Sequence, residues 1–132
     1  MPEQPRQGYG VKKTSSIAIV DDDDSMRDAL SALVRSIGMN AVAYLSADDF
    51  IAVCGVEQAD CLITDVQMPG MSGIELLELL RRQQVGLPVI VVTAYPSPPL
   101  QARVMAAGNA ALLGKPFDGN ELVARIEQAL GH

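Results

Sequence analysis

The chain has 132 residues, of which 48% are hydrophobic, with sixteen acidic side chains against ten basic ones and a net charge of −6. This length and composition predict a single globular domain with a buried core and exclude an intrinsically disordered chain. The acidic balance also argues against direct nucleic-acid binding by this chain, because such binding depends on neutralising phosphates with basic side chains.

The apolar segments of the chain are short. None approaches the ~20 residues that a membrane span needs, and the N-terminus lacks a signal-peptide core, so we expect a cytoplasmic protein without a membrane segment. The two cysteines, Cys54 and Cys61, lie in apolar patterns without metal-ligand spacing. They are interpreted as reduced packing residues rather than a disulfide.

Along the chain, a proline- and glycine-containing stretch over residues 1–16 predicts a disordered tail, followed by one domain over residues 17–131. Short apolar runs bounded by turn residues predict strands at 17–20, 40–45, 61–64, 88–92 and 110–113. Apolar side chains at helical spacing predict helices at about 26–37, 46–53, 73–82, 98–107 and 118–130. This alternation predicts an α/β fold, a flavodoxin-like (βα)5 doubly wound sheet of five parallel strands in the order 2-1-3-4-5.

Three carboxylates are predicted to meet at the switch point of this sheet. Asp21 and Asp22 follow the first strand, and Asp65 ends the third. Carboxylates this close repel one another unless a cation lies among them, and Mg²⁺ suits a few carboxylates with waters and a phosphate. The neighbouring Asp23 and Asp24 are better explained as a solvated cluster that caps the first helix.

A hydroxyl and an ammonium are predicted at the same edge. Thr93 ends the fourth strand and Lys115 follows the fifth, so both could hold oxygens of a phosphoryl group on Asp65. The sequence shows neither a glycine-rich phosphate loop nor a cysteine–histidine or serine–histidine pair, because its single histidine is the terminal His132.

Four motifs together resemble the CheY-like receiver domain of two-component response regulators, over about residues 17–130. The methionine–proline loop and the Lys-Pro-Phe ending are most similar to the FixJ-like branch. The motifs are Ile-Val-Asp21-Asp22, Thr-Asp65-Val-Gln-Met-Pro-Gly-Met-Ser-Gly73, Val-Thr93-Ala and Lys115-Pro-Phe117.

The resemblance implies that Asp65 accepts a phosphoryl group from a histidine kinase or phosphotransfer protein. It makes Asp22 and Asp65 direct Mg²⁺ ligands, Gln67 a ligand through its backbone carbonyl and Asp21 a ligand through water. Thr93 and Lys115 would hold the phosphoryl oxygens, and the bond before Pro116 would be cis. Such a domain is a signalling module that catalyses only its own phosphorylation and dephosphorylation. The fourth helix, fifth strand and fifth helix would form the surface for a homodimer or another partner.

Two departures from the family concern the output of the switch. Leu112 stands where the family usually has Tyr or Phe, and Tyr95 is a candidate to replace that moving aromatic side chain. Pro96, Pro98 and Pro99 crowd the connection that usually remodels on activation, and they restrict its backbone.

Three alternatives and one question of extent stay open. An aspartyl-nucleophile phosphatase would usually carry a second Asp where this chain has Gln67. A flavin or nucleotide binder would need a phosphate-binding loop, and a pseudo-receiver would act by protein contact without phosphorylation. The chain is expected to be either a stand-alone receiver or a piece of a longer regulator, since FixJ-like relatives usually add a helix-turn-helix domain.

Overall fold

A computed structural model describes residues 14–131 of the chain. Five strands and five helices alternate, and all five strands are parallel in the order β2-β1-β3-β4-β5. The predicted doubly wound fold is therefore confirmed. The strands are β1 Ser16–Val20, β2 Asn40–Tyr44, β3 Cys61–Asp65, β4 Val89–Thr93 and β5 Ala110–Gly114. The helices are α1 Asp24–Ser36, α2 Ala47–Ala52, α3 Gly73–Arg82, α4 Pro98–Ala107 and α5 Gly119–Ala129.

The element boundaries differ from the predicted ones by a few residues. Strand β1 begins at Ser16, which pairs with Asn40, one residue before the predicted start of the domain. The rest of the predicted tail falls mostly on residues 1–13, which lie outside the described residues. A 3₁₀ turn at Gly55–Glu57, which the sequence patterns did not indicate, joins α2 to β3.

The core has two parts, one on each face of the sheet, because successive strand residues point to opposite faces. On one face Ala18, Val20, Leu62, Val89 and Val91 pack with α2, α3 and α4. On the other face the alternate strand residues pack with α1 and α5; they are Ile17, Ile19, Cys61, Ile63, Ile90 and Val92. Strand β3 is buried along its whole length, so Asp65 at its end is held by a rigid support.

Within residues 14–131, no helix combines the length and the apolar character needed to cross a bilayer.

The two cysteines, both in the described part, are free thiols in different surroundings. Cys61 is fully buried, and this burial raises the pKa of its thiol to about 12, so it behaves as a packing residue as predicted. Cys54 is also free, as predicted, but the prediction that it packs in the interior is wrong, because it is exposed at the start of the 3₁₀ turn, in the left-handed region with φ 55°.

Several polar residues have the role of capping the N-termini of helices. The Asp23 carboxylate caps α1 by accepting from the N–H groups of Ser25 and Met26, in agreement with its predicted role. Ser72 and Glu75 form a capping box at the start of α3, which fixes the entry of that helix directly after the site loop.

One arginine ties the other end of the sheet together. The Arg81 guanidinium, near the end of α3, donates to the carbonyl oxygens of Val85 at 2.7 Å, Leu87 at 2.9 Å, Gly108 at 3.0 Å and Asn109 at 3.0 Å. It therefore joins the loop before β4 to the loop before β5.

Replacing Arg81 with methionine should lower the free energy of unfolding by about 2–3 kcal/mol, because four carbonyl groups lose a charged donor while the apolar stem is kept. Urea denaturation would measure this change. Arg82→Met, at the exposed next position of the same helix, is the control and should stay within about 0.5 kcal/mol of the parent. Equal losses in the two variants would contradict this role of Arg81.

Candidate functional site

The predicted site residues lie together at the carboxyl edge of the sheet. Backbone pairing continues just past the strand ends. The N–H of Asp21 donates to the Tyr44 carbonyl at 3.2 Å, and the N–H of Lys115 donates to the Thr93 carbonyl at 2.7 Å. These bonds extend the backbone pairing of the sheet by one residue beyond the ends of β1 and β5. The backbones of Asp21 and Lys115, which carry two of the side chains of the site, are therefore held by the sheet.

The three predicted carboxylates form one cluster. Asp21, Asp22 and Asp65 each offer an oxygen, and these oxygens all lie within 4.8 Å of one another. Asp21 is 1% exposed and Asp65 is 7% exposed, whereas Asp22 is open to solvent. Protein atoms therefore surround the cluster on the Asp21 and Asp65 sides, and solvent reaches it past Asp22.

The electrostatics of the cluster favour a cation. Burial raises the pKa of Asp21 above its ordinary value, and the negative charges of Asp65 and Asp22 add to this rise. A hydrogen bond of 2.9 Å from the Asp23 N–H to Asp21 Oδ1 and the charge of Lys115 act in the opposite direction. The buried carboxylate therefore carries an unfavourable charge that a bound cation would relieve.

Asp65 presents two different oxygens. Oδ2 lies 3.4 Å from Lys115 Nζ. Oδ1 is buried and makes no hydrogen bond to any residue that the structure describes. Among the described residues, it is the only buried side-chain nitrogen or oxygen atom without a hydrogen-bond partner. A buried carboxylate oxygen without a donor normally has a further ligand, and a hard cation among three carboxylates fits that need. The residues present therefore fit Mg²⁺.

The residues after β5 match the arrangement that the resemblance implies. Lys115 is partly buried and directed at Asp65, and the peptide bond between Lys115 and Pro116 is cis. Phe117 packs with the core formed by α1 and α5.

Thr93 is fully buried at the end of β4, and its hydroxyl makes two hydrogen bonds. It accepts from the backbone N–H of Tyr95 at 3.0 Å and donates to Gln67 Oε1 at 3.2 Å. The side-chain bond between Thr93 and Gln67 was not predicted, because the resemblance implies a role only for the backbone carbonyl of Gln67.

The two candidate switch residues have different surroundings. Leu112 is half-buried on β5 and packs on the core beneath α4, while Tyr95 is 75% exposed in the connection before α4. In that same connection, Pro96 packs against Gly114, where an added Cβ would lie 3.2 Å from Pro96 Cγ. The proline-rich loop is therefore seated on the end of β5.

Two further residues support the site without having been predicted to do so. The Arg27 guanidinium donates to the Asp21 carbonyl at 2.9 Å and pairs with Asp24, bracing the loop that carries the acidic cluster. The i,i+3 spacing of Asp24 and Arg27 was a usable signal for that ion pair. Gly73 lies against the Asp65 backbone, where an added Cβ would be 2.1 Å from the Asp65 carbonyl oxygen.

Comparison with known proteins shows which family the chain is similar to. Residues 17–127 match the family model described as the response regulator receiver domain. The transcriptional regulatory protein FixJ of Bradyrhizobium diazoefficiens is 36% identical over 114 residues, which cover 86% of this chain and 56% of that protein. The response regulator protein TodT of Pseudomonas putida is 36% identical over 118 residues, 89% of this chain and 52% of that protein.

The solved structures show the same fold. The crystal structure of FixJ-N superposes with a TM-score of 0.80 at 32% identity and covers 92% of this chain and 97% of that one. The chain spans about half the length of the curated relatives FixJ and TodT that it matches. By its sequence and its fold, the chain belongs to the CheY-like receiver domains of two-component response regulators, in the FixJ-like branch.

Proposed function

We propose that Asp65 is the phosphoacceptor of this receiver and that it takes its phosphoryl group from a histidine kinase or a histidine phosphotransfer protein. The observation that carries this proposal is the state of the Asp65 carboxylate. One of its oxygens is buried without a hydrogen bond, and the other lies 3.4 Å from Lys115 Nζ. Apart from its pairing with Lys115, this carboxylate accepts no hydrogen bond from the described residues, so it keeps lone pairs both for a cation and for attack on phosphorus.

The transfer needs little from the protein beyond a nucleophile and charge stabilisation. A carboxylate oxygen of Asp65 forms a bond to phosphorus while the phosphorus–nitrogen bond of the donor histidine breaks, and the electron pair of that bond stays on the imidazole. A carboxylate attacks as an anion, so the transfer requires no general base. The exposed side of the cluster at Asp22 is the open approach for the donor.

Lys115 acts on the charge that the transfer brings into the cleft. Its ammonium is already paired with Asp65 and stays close enough to pair with an oxygen of the phosphoryl group. Asp22, Asp65 and the backbone carbonyl of Gln67 are proposed to hold Mg²⁺ directly, and Asp21 to hold it through a water. When bound, this cation neutralises the clustered carboxylates and the phosphoryl oxygens.

The phosphoryl group is proposed to change the surface of the domain through Thr93. Its hydroxyl lies at the end of β4 and bonds the N–H of Tyr95, so a shift of Thr93 toward the phosphoryl group would release the loop before α4. Tyr95, in that loop, is proposed to replace the aromatic side chain absent at Leu112. The surface formed by α4, β5 and α5, which includes the 67% exposed Met105, is the proposed face for a homodimer or another partner.

Phosphorylation is tested by incubating the chain with acetyl phosphate and Mg²⁺ and measuring its intact mass. We expect one phosphate-sized gain in the parent chain, lost when a chelator is added, and no gain in Asp65→Ala. Absence of a gain in the parent under all conditions, or a gain that persists in Asp65→Ala, would contradict the proposal.

A further inference from the structure

In the unphosphorylated domain, the Thr93 hydroxyl already makes two hydrogen bonds. A threonine hydroxyl has one proton to donate, and here that proton goes to Gln67 Oε1 at 3.2 Å. The hydroxyl oxygen also accepts from the Tyr95 N–H at 3.0 Å. Donating to a phosphoryl oxygen on Asp65 therefore requires breaking the bond to Gln67.

Gln67 is well placed to compete for this proton. It lies two residues after Asp65, in the loop that joins β3 to α3, and its side chain reaches across to the end of β4. The Thr93 side chain is fully buried and β-branched, so it has few alternative rotamers, and its hydroxyl cannot serve both acceptors. Gln67 itself is on the exposed side, where its amide remains solvated after it releases Thr93.

We propose that Gln67 is a positioning residue whose side-chain amide holds the Thr93 hydroxyl in the resting position and so opposes binding of a phosphoryl group at Asp65. This inference rests on the proposed function. It concerns the side chain of Gln67, which is distinct from the backbone carbonyl proposed as a metal ligand. The bond between Thr93 and Tyr95 links the same contact to the loop before α4.

The test replaces the amide with a side chain of similar length that lacks a comparable acceptor. In Gln67→Met, the chain with Mg²⁺ should bind beryllium fluoride, an analogue of the phosphoryl group, about two- to tenfold more tightly. That range corresponds to not having to break one ordinary hydrogen bond. Gln83→Met makes the same chemical change at an exposed position at the end of α3 and should leave the affinity as in the parent.

A double-mutant cycle separates action through Thr93 from a general change in the loop. Thr93→Val keeps the branched shape and removes the hydroxyl, so it weakens binding by itself. In the Thr93→Val background, the further change Gln67→Met should no longer alter the affinity, because the contact it removes is already absent. In the ligand-free protein, Gln67→Met should also shift the NMR amide resonance of Tyr95, and this shift should vanish in the Thr93→Val background.

The outcomes separate this inference from the proposed function. If the parent and Gln83→Met bind beryllium fluoride but Gln67→Met binds equally or less tightly, the inference is overturned and the proposed function stands. The same holds if the effect of Gln67→Met has equal size with and without the Thr93 hydroxyl. If the parent chain does not bind beryllium fluoride in the presence of Mg²⁺, the proposed function fails and this inference fails with it.

Discussion

Replacing Gly73 with alanine should lower the free energy of unfolding by about 3 kcal/mol or more. The added Cβ would lie 2.1 Å from the Asp65 carbonyl oxygen, 2.8 Å from the Asp65 carbonyl carbon and 3.0 Å from Thr64 Oγ1. Two of these three atoms are backbone atoms at the end of the buried central strand, so no side-chain rotation relieves the contact. Either α3 moves away or the end of β3 is displaced, together with its carboxylate.

Urea denaturation of Gly73→Ala against Gly86→Ala measures this effect. An added Cβ at Gly86 meets no atom within 4 Å in the described structure, and its backbone lies outside the left-handed region, so that variant should unfold like the parent. If Gly73→Ala still folds, its rate of phosphorylation by acetyl phosphate should fall, since the strain acts on the backbone of Asp65. Equal stability of the two variants would show that the helix adjusts easily and that the close approach is not required.

The fold was largely predictable because apolar periodicity and helix caps agree along the chain. Helix α3 begins and ends where predicted, at Gly73 and Arg82, and the capping box of Ser72 and Glu75 fixes its start. Strands β3, β4 and β5 end at Asp65, Thr93 and Gly114, one residue beyond the last residue of each predicted apolar run. At these positions the apolar pattern stops before the backbone pairing does, so hydrophobicity alone places the end of the strand too early.

The membership of the site was predictable for a topological reason. In a parallel sheet, residues that follow different strands meet at one edge, so the order of the strands was enough to bring Asp21 and Asp65 together. The contacts between loops were not predictable in this way. The bond from Thr93 to Gln67 and the approach of Gly73 to Asp65 depend on loop conformations that no local pattern specifies. The exposure of Cys54 was missed for the same reason, because it follows from an unpredicted turn.

Replacing Asp21 with asparagine should stabilise the metal-free domain while weakening Mg²⁺ binding by about 10- to 100-fold, the range typical of losing an outer ligand of a metal site. Burial, together with the neighbouring carboxylates, raises the pKa of Asp21 in the folded protein above its ordinary value of 3.8. Because the folded state then holds this proton more tightly than the unfolded state does, the metal-free parent loses stability as pH rises from about 3.8 through the folded pKa. The asparagine variant lacks this loss and can still accept the hydrogen bond from Asp23.

Thermal unfolding with and without Mg²⁺ at neutral pH tests both parts of this prediction. Without metal, Asp21→Asn should melt above the parent. With metal, the gain in stability should be larger for the parent, since stabilisation by a ligand increases with the ratio of its concentration to its dissociation constant. Asp28→Asn removes the same charge at an exposed position of α1 and should leave the response to Mg²⁺ unchanged. The prediction is contradicted if the metal-free parent melts as high as Asp21→Asn and gains no stability from Mg²⁺. The carboxylates would then not destabilise the folded domain by repelling one another. The acidic cluster would then need another explanation than a cation site.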